Sequence, residues 1–393
     1  MKPVARPLRR RRRLLPAKLL GAGGLLLVLA LVGGWVGVTH HVGSSKIAYT
    51  KGASTPLVHT RPVPAAPAEF QSDLNRLAAA YREPVGVAVS DVTDGWTASV
   101  AGDERFPQQS VSKLWVALAV LQAVDQGRLK LDQTVVMLPQ DKSVFYQPLT
   151  RRIRGPSGLS LQLDELLRHA LVESDNAAND RLIREVGGPE VVTRVIAEKG
   201  LHGVAVGGTE RDVQTRTAGL TWRPEYGATW IFKQARAKLP DEVRDQALAE
   251  YLADPPDGAT PDGIVSALAA LKRGELLSPS STDFMLGLMG EAVTGQLRLK
   301  AGLAPGWSLA HKTGTGPDWR GASVGINDVG LLTAPDGRTY AVAVMVRQTR
   351  QGPTARHQLM QHVARAVEAQ WQAGDHSRSP LPTLGSPSVM AGG

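Results

Sequence analysis

Stretches with the two-residue alternation and β-branched content of strands lie near both ends of the polar part of this chain, and helical periodicity fills most of the space between. PVGVAVSDVTDGWTASVAGDERF, residues 84–106, reads as two strands joined at Thr93-Asp94-Gly95. VGLLTAPDGRTYAVAVMV, residues 329–346, reads as two more strands joined by a Pro-Asp-Gly turn. Amphipathic helical patterns cover residues 69–82, 110–126, 163–172 and 355–372. Such an order implies an α+β domain whose antiparallel sheet is closed by the two chain ends, with a helical part inserted between them.

Composition narrows the class. A 42% hydrophobic content supports a sizeable core. The net charge of +9 is local: residues 1–18 hold eight Lys and Arg and no acid, which leaves about +1 for everything else. No nucleic-acid partner is implied. Cysteine is absent, so disulfides, thiolate metal sites and a cysteine nucleophile are excluded.

The basic residues 1–18 precede an uncharged apolar run, residues 19–38. About 20 apolar residues at ~1.5 Å each match a ~30 Å hydrocarbon core. This predicts a transmembrane helix at the inner membrane, with the arginines held in the cytoplasm and the rest of the chain in the periplasm. The run is long for a cleaved signal peptide and is followed by no clear small-residue cleavage site. Residues 39–68 are Pro-rich and suit a linker; the folded domain is expected over 69–374, and residues 375–393 as a disordered tail. The linker pair His40 and His41 has no partner spacing, and no metal-ligand cluster or cofactor motif is visible elsewhere.

Three short polar stretches can carry chemistry. In FPQQSVSK, residues 106–113, Ser110 and Lys113 lie one helical turn apart. A serine hydroxyl needs an adjacent base to become nucleophilic, which Lys113 can supply, and a helix N-terminus adds N–H groups for an oxyanion. The second stretch is Ser174-Asp175-Asn176, and the third is Lys312-Thr313-Gly314, before a Gly-rich turn. Each alone reads equally as structure: a helix start, a capping cluster, a polar edge strand. In this order and at these distances they form a combination of Ser-x-x-Lys, SDN and KTG.

With ERFPQQSVSKLW, ALVESDNAANDRLIREVGGP, APGWSLAHKTGTG and NDVGLLTAPDGR around those motifs, residues 69–373 resemble the class A β-lactamases, a family of penicillin-recognising serine hydrolases. The resemblance implies a three-layer α/β/α fold. It makes Ser110 the acylated nucleophile and Lys113 a partner in its deprotonation. Ser174 then relays a proton to the leaving nitrogen, and Asn176 holds the substrate's side-chain amide. Lys312 and Thr313, with Gly314 beside them, bind the substrate carboxylate; the N–H groups of Ser110 and Thr315 form the oxyanion hole.

The family's deacylating glutamate falls on Glu210, with Gln214 where an Asn usually helps hold water and Gly208 where an Arg usually stands. Residues 221–255 exceed the family pattern and read as at least one extra helix, with Trp222, Trp230 and Phe232 as packing residues. Glu225 in that segment is a rival base. Tyr146 suits either the mouth of a cleft or the core. Arg347, Arg350 and Arg356 are all candidates for assisting carboxylate binding. The expected activity is β-lactam hydrolysis by a monomer; the alternative is a membrane-anchored D-alanyl-D-alanine carboxypeptidase, a penicillin-binding protein acting on cell-wall peptides.

Overall fold

The structure is a computed structural model that describes residues 63–374. The expected membrane span, the linker up to residue 62 and the tail from residue 375 lie outside the described residues. Among those described, no helix is long and apolar enough to cross a membrane.

Six strands make one antiparallel sheet: β1 (Val85–Asp91), β2 (Thr97–Val100), β3 (Ser308–Gly314), β4 (Asp318–Trp319), β5 (Ala322–Thr333) and β6 (Thr339–Thr349). Their order is β2-β1-β6-β5-β3, with β4 paired to β5. The first and last strands of the described residues meet at the β1–β6 pair, where Val87 faces Val344 and Val89 faces Val342. Alternation then sends side chains to two cores. Val87, Val89, Val342 and Val344 pack with Phe70, Leu74, Met360 and Val363 of α1 (Ala68–Tyr81) and α11 (Pro353–Ala373). Ala88, Ala341, Ala343 and Met345 turn to the opposite face and join the helical core. The result is the expected three-layer α+β architecture.

That helical core surrounds α2 (Lys113–Asp125), which buries eleven of its thirteen residues. A helix apolar on all sides has to sit in the middle of its neighbours. Those are α3 (Leu163–Leu171), α4 (Asn176–Val186) and α5 (Pro189–Glu198), with α9 (Pro261–Lys272) and α10 (Pro279–Gly290) closing the layer against the sheet.

Between α5 and α9 the chain forms α6 (Glu210–Thr217), α7 (Thr229–Ala237) and α8 (Asp241–Ala253), so the extra segment holds two helices. Phe232 is fully buried against Val144, Ala218 and Tyr226, with Phe145 edge-on at 5.0 Å and Trp222 beside the cluster. Trp230 corrects the expectation of a packing role: it is 67% exposed. Two positions along a helix turn a side chain about 200°, so α7 cannot bury Trp230 and Phe232 on one face.

Candidate active site

The nucleophile segment enters as a short strand pairing, Phe106 with Ala259, and then turns through Gln109 into α2. Gln109 takes a φ of +53°, a backbone conformation that is sparsely populated by non-glycine residues. The turn places Ser110 at the floor of a cleft of about 420 Å3, while Lys113 is buried directly beneath it. The Lys113 Nζ donates to Ser110 Oγ at 2.8 Å and to Asn176 Oδ1 at 2.9 Å, and it pairs with the Glu210 carboxylate.

The SDN stretch divides its labour. Asp175 caps α4, accepting from Ala178 N at 2.8 Å, and its other oxygen accepts from Leu149 N at 2.7 Å. Burial pushes this carboxyl above its usual range. Ser174 and Asn176 face the cleft instead. Asn176 also ties Lys113 to the loop at Val144, through its Nδ2 donating to Val144 O at 2.9 Å. Capping thus accounts for the aspartate alone.

From the far side, β3 supplies Lys312, Thr313 and Gly314. The fully buried Lys312 donates to Ser174 Oγ at 2.8 Å and to Thr313 O at 3.0 Å. Burial, then the charge of Lys113, lowers the affinity of this amine for its proton well below the ordinary value. Thr313 and Thr315 line the cleft. Gly314 leaves no room for a side chain: a β-carbon there would stand 2.2 Å from Gln108 O. That contact lets the strand press against the nucleophile turn.

Glu210 opens α6, with Thr209 as N-cap. Buried Asp180 holds this helix start, its Oδ1 accepting from Glu210 N at 2.6 Å and its Oδ2 from Arg211 N at 3.2 Å. Desolvation, with the nearby Glu210 charge second, raises the Asp180 carboxyl to about 7. The chain turns into this start through Gly208 at a φ of +121°, which only glycine takes easily, so an arginine there would strain the backbone although the space beside it is open. One turn beyond Glu210, Gln214 also faces the cleft. Glu225 is exposed and lines no part of it, which removes the rival base.

Tyr146 is 57% exposed at the mouth of the cleft, so it is not a core residue. None of the three expected arginines faces the cleft. Arg347 pairs with Glu104, Arg350 donates to Arg320 O, and Arg356 donates to Gln351 O. The arginine that does line the cleft is Arg298, which reaches Gly314 O (3.0 Å), Asn327 O (2.6 Å) and Thr315 Oγ1 (2.6 Å). It precedes β3 in the chain, and its sequence context carries no motif that announces it.

The arrangement provides an activated hydroxyl, a buried lysine–carboxylate pair beneath it, and a cationic, hydroxyl-lined wall across the cleft. That is the equipment of a serine acyl-transfer enzyme. The profile of the "Beta-lactamase enzyme family" matches residues 69–371. The chain belongs to this family, and the class A resemblance of its motifs holds. It is 27% identical to β-lactamase VEB-1 of Pseudomonas aeruginosa over 282 residues, 72% of this chain and 83% of that protein. It is 29% identical to the extended-spectrum β-lactamase PER-1 of the same organism over 284 residues, covering 72% and 81%. Among solved structures, a β-lactamase from Chitinophaga pinensis superposes with a TM-score of 0.63 at 28% identity, covering 78% of this chain and 99% of that one.

Proposed function

We propose that this enzyme hydrolyses β-lactams through an acyl-enzyme on Ser110, and that Glu210 is the base that clears it. The observation that carries the reading is the position of Lys113, held between the Ser110 hydroxyl and the Glu210 carboxylate inside the protein. Lys113 passes a proton to Glu210 and takes the serine proton as Ser110 Oγ attacks the lactam carbonyl. The N–H groups of Ser110 and Thr315 receive the oxyanion. The ring nitrogen, as its bond to the carbonyl carbon breaks, takes the proton of Ser174, which Lys312 replaces along the 2.8 Å contact. The substrate carboxylate lies against Thr313, Thr315 and Arg298, under the field of Lys312.

Deacylation reverses the roles. After Glu210 has returned its acylation proton to the Lys312 amine by way of solvent in the cleft, a water beside Glu210 and Gln214 gives one proton to Glu210 and its oxygen to the ester carbon, and Ser110 Oγ leaves with a proton from Lys113, which Glu210 replaces. A buried carboxylate this close to the nucleophile favours turnover over a lasting adduct, and so hydrolysis over the peptidase alternative. Intact mass followed over time after mixing with a penicillin tests this. A transient adduct is expected, and none in Ser110→Ala; a permanent wild-type adduct would favour the peptidase.

We also infer that residues 19–38 tether the enzyme, with the domain outside the cytoplasm, on the strength of the apolar run and its arginine flank. Membrane fractionation with external protease checks it: the domain should sediment with membranes and be digested only after the outer envelope is opened.

A further inference from the structure

A buried line of hydrogen bonds runs from α8, in the segment that exceeds the family pattern, to the base. Tyr251 Oη donates to Asp257 Oδ1 at 2.8 Å and accepts from Gln109 Nε2 at 2.6 Å. Gln109 Oε1 accepts from Gln214 Nε2 at 2.9 Å, and that same nitrogen lies 3.5 Å from Glu210 Oε2. Asp257 also accepts from the backbone N–H of Gln109 at 2.7 Å, which binds the turn before Ser110 to the same carboxylate.

The polarity of this line is set at one end. A carboxylate only accepts, so the phenol must donate to it and present its lone pairs to Gln109. Gln109 therefore directs its NH2 group at Tyr251 and its oxygen at Gln214. Gln214 must answer with its own NH2 group. Both donors of Gln214 are then directed at Gln109 and Glu210, and its Oε1 is the end left for another partner.

We propose that Tyr251, backed by Asp257, is a positioning residue for deacylation: through Gln109 it locks the Gln214 amide so that Oε1 accepts a proton of the hydrolytic water that Glu210 deprotonates. The inference rests on the reading of Glu210 as the deacylating base. Reversed, the same amide would turn an N–H toward the water and compete with it as a donor.

The site is built around Gln109. A β-carbon at Gly325 would stand 2.6 Å from its Cγ, and one at Gly316 would stand 3.0 Å from its Cδ, so a sheath of two glycines accommodates this one side chain. The positive φ of Gln109 is a further departure from ordinary backbone that the surroundings hold in place. Burial and the Asp257 charge push the Tyr251 hydroxyl well above the phenol range, which keeps it a donor. Tyr251 itself is anchored among Val213, Leu248 and Val324, so α8 and the sheet hold the start of the line in place.

Rapid-quench mass spectrometry with a penicillin separates acylation from deacylation in the purified protein. Tyr251→Phe keeps the ring and removes the hydroxyl. Its deacylation should fall about tenfold, with acylation within about twofold of the parent. Gln214→Ala should slow the same step, and the double variant should be no slower than Gln214→Ala alone, because the tyrosine acts through that amide. Unchanged deacylation in Tyr251→Phe, equal slowing of both steps, or full additivity in the double variant would each overturn the proposal. Glu210→Gln serves as reference. If it still turns over, the base assignment has failed; if it traps the adduct while Tyr251→Phe does not, the positioning line alone has failed. Should Tyr251→Phe not fold, Gln109→Met breaks the line at its next member, and normal deacylation there overturns it equally.

Discussion

Ser174 holds a φ of +64°, and its hydroxyl accepts from Lys312 Nζ at 2.8 Å. A left-handed serine costs on the order of 1 kcal/mol relative to glycine. Ser174→Gly relieves that cost but strips the buried Lys312 of its hydroxyl partner, so the two effects should nearly cancel in stability, while acylation slows by roughly 100-fold for want of the proton relay. Thermal melts and single-turnover acylation read the two effects. A variant that acylates normally would show that the strained backbone does not serve the relay.

Glu210 shares a buried ion pair with Lys113, so its two roles can be separated by step. Glu210→Gln should keep measurable acylation and lose deacylation by about 100-fold or more, so that mass spectrometry finds a long-lived penicillin adduct. Removing one partner of a buried pair also leaves the other charge uncompensated, and a stability loss of about 3 kcal/mol should appear in denaturant titration. Fast, complete turnover in this variant would remove Glu210 from the mechanism.

What the sequence disclosed followed the range of the contacts. Ser110 with Lys113, and the capping of α4 by Asp175, are settled within one helical turn, so spacing alone places them. The three motifs converge as expected because each marks the end of an element that the sheet and α2 bring together. Spacing is silent about partners far away in the chain. Tyr251 meets Gln109 across 142 positions, and Arg298 reaches Asn327 across 29. Arginines 347, 350 and 356 sit close to the end of β6, yet they serve ion pairs and backbone carbonyls elsewhere. In α7 the apolar residues suggested a packing face, but helical rotation allowed only Phe232 to use it while Trp230 remained outside.

Asp180 makes stability depend on pH in a direction opposite to that of an ordinary paired carboxylate. Its carboxyl titrates near 7 in the fold and near 3.8 unfolded, so the folded state holds the proton more tightly. Its contribution is greatest below the unfolded value and is lost as pH rises from about 4 to about 7, with a limiting slope of about 1.4 kcal/mol per pH unit. Asp180→Asn keeps an acceptor for Glu210 N and removes the titration. Melts of both proteins across that window should converge at the acid end and separate upward, with the variant the more stable at pH 7. Parallel curves would mean that Asp180 is not the group responsible.

Arg298 supplies the last test, because its guanidinium lies under the loop that carries Thr315. It donates to Gly314 O, Asn327 O and Thr315 Oγ1, so it fixes the end of β3 and places a positive charge beside Thr313. Burial lowers its affinity for a proton somewhat, but a guanidinium starts high enough to stay charged at neutral pH. If the charge holds the substrate carboxylate, Arg298→Ala should lower kcat/KM by about 30-fold for a carboxylate-bearing β-lactam and by less than about threefold for its methyl ester. If the arginine only braces the loop, both substrates should lose alike, because the oxyanion-binding N–H of Thr315 would shift for each. Arg298→Lys sharpens the distinction. An ammonium keeps the charge but cannot span two carbonyls and a hydroxyl in one plane, so a carboxylate role predicts partial recovery for the acid while a bracing role predicts none.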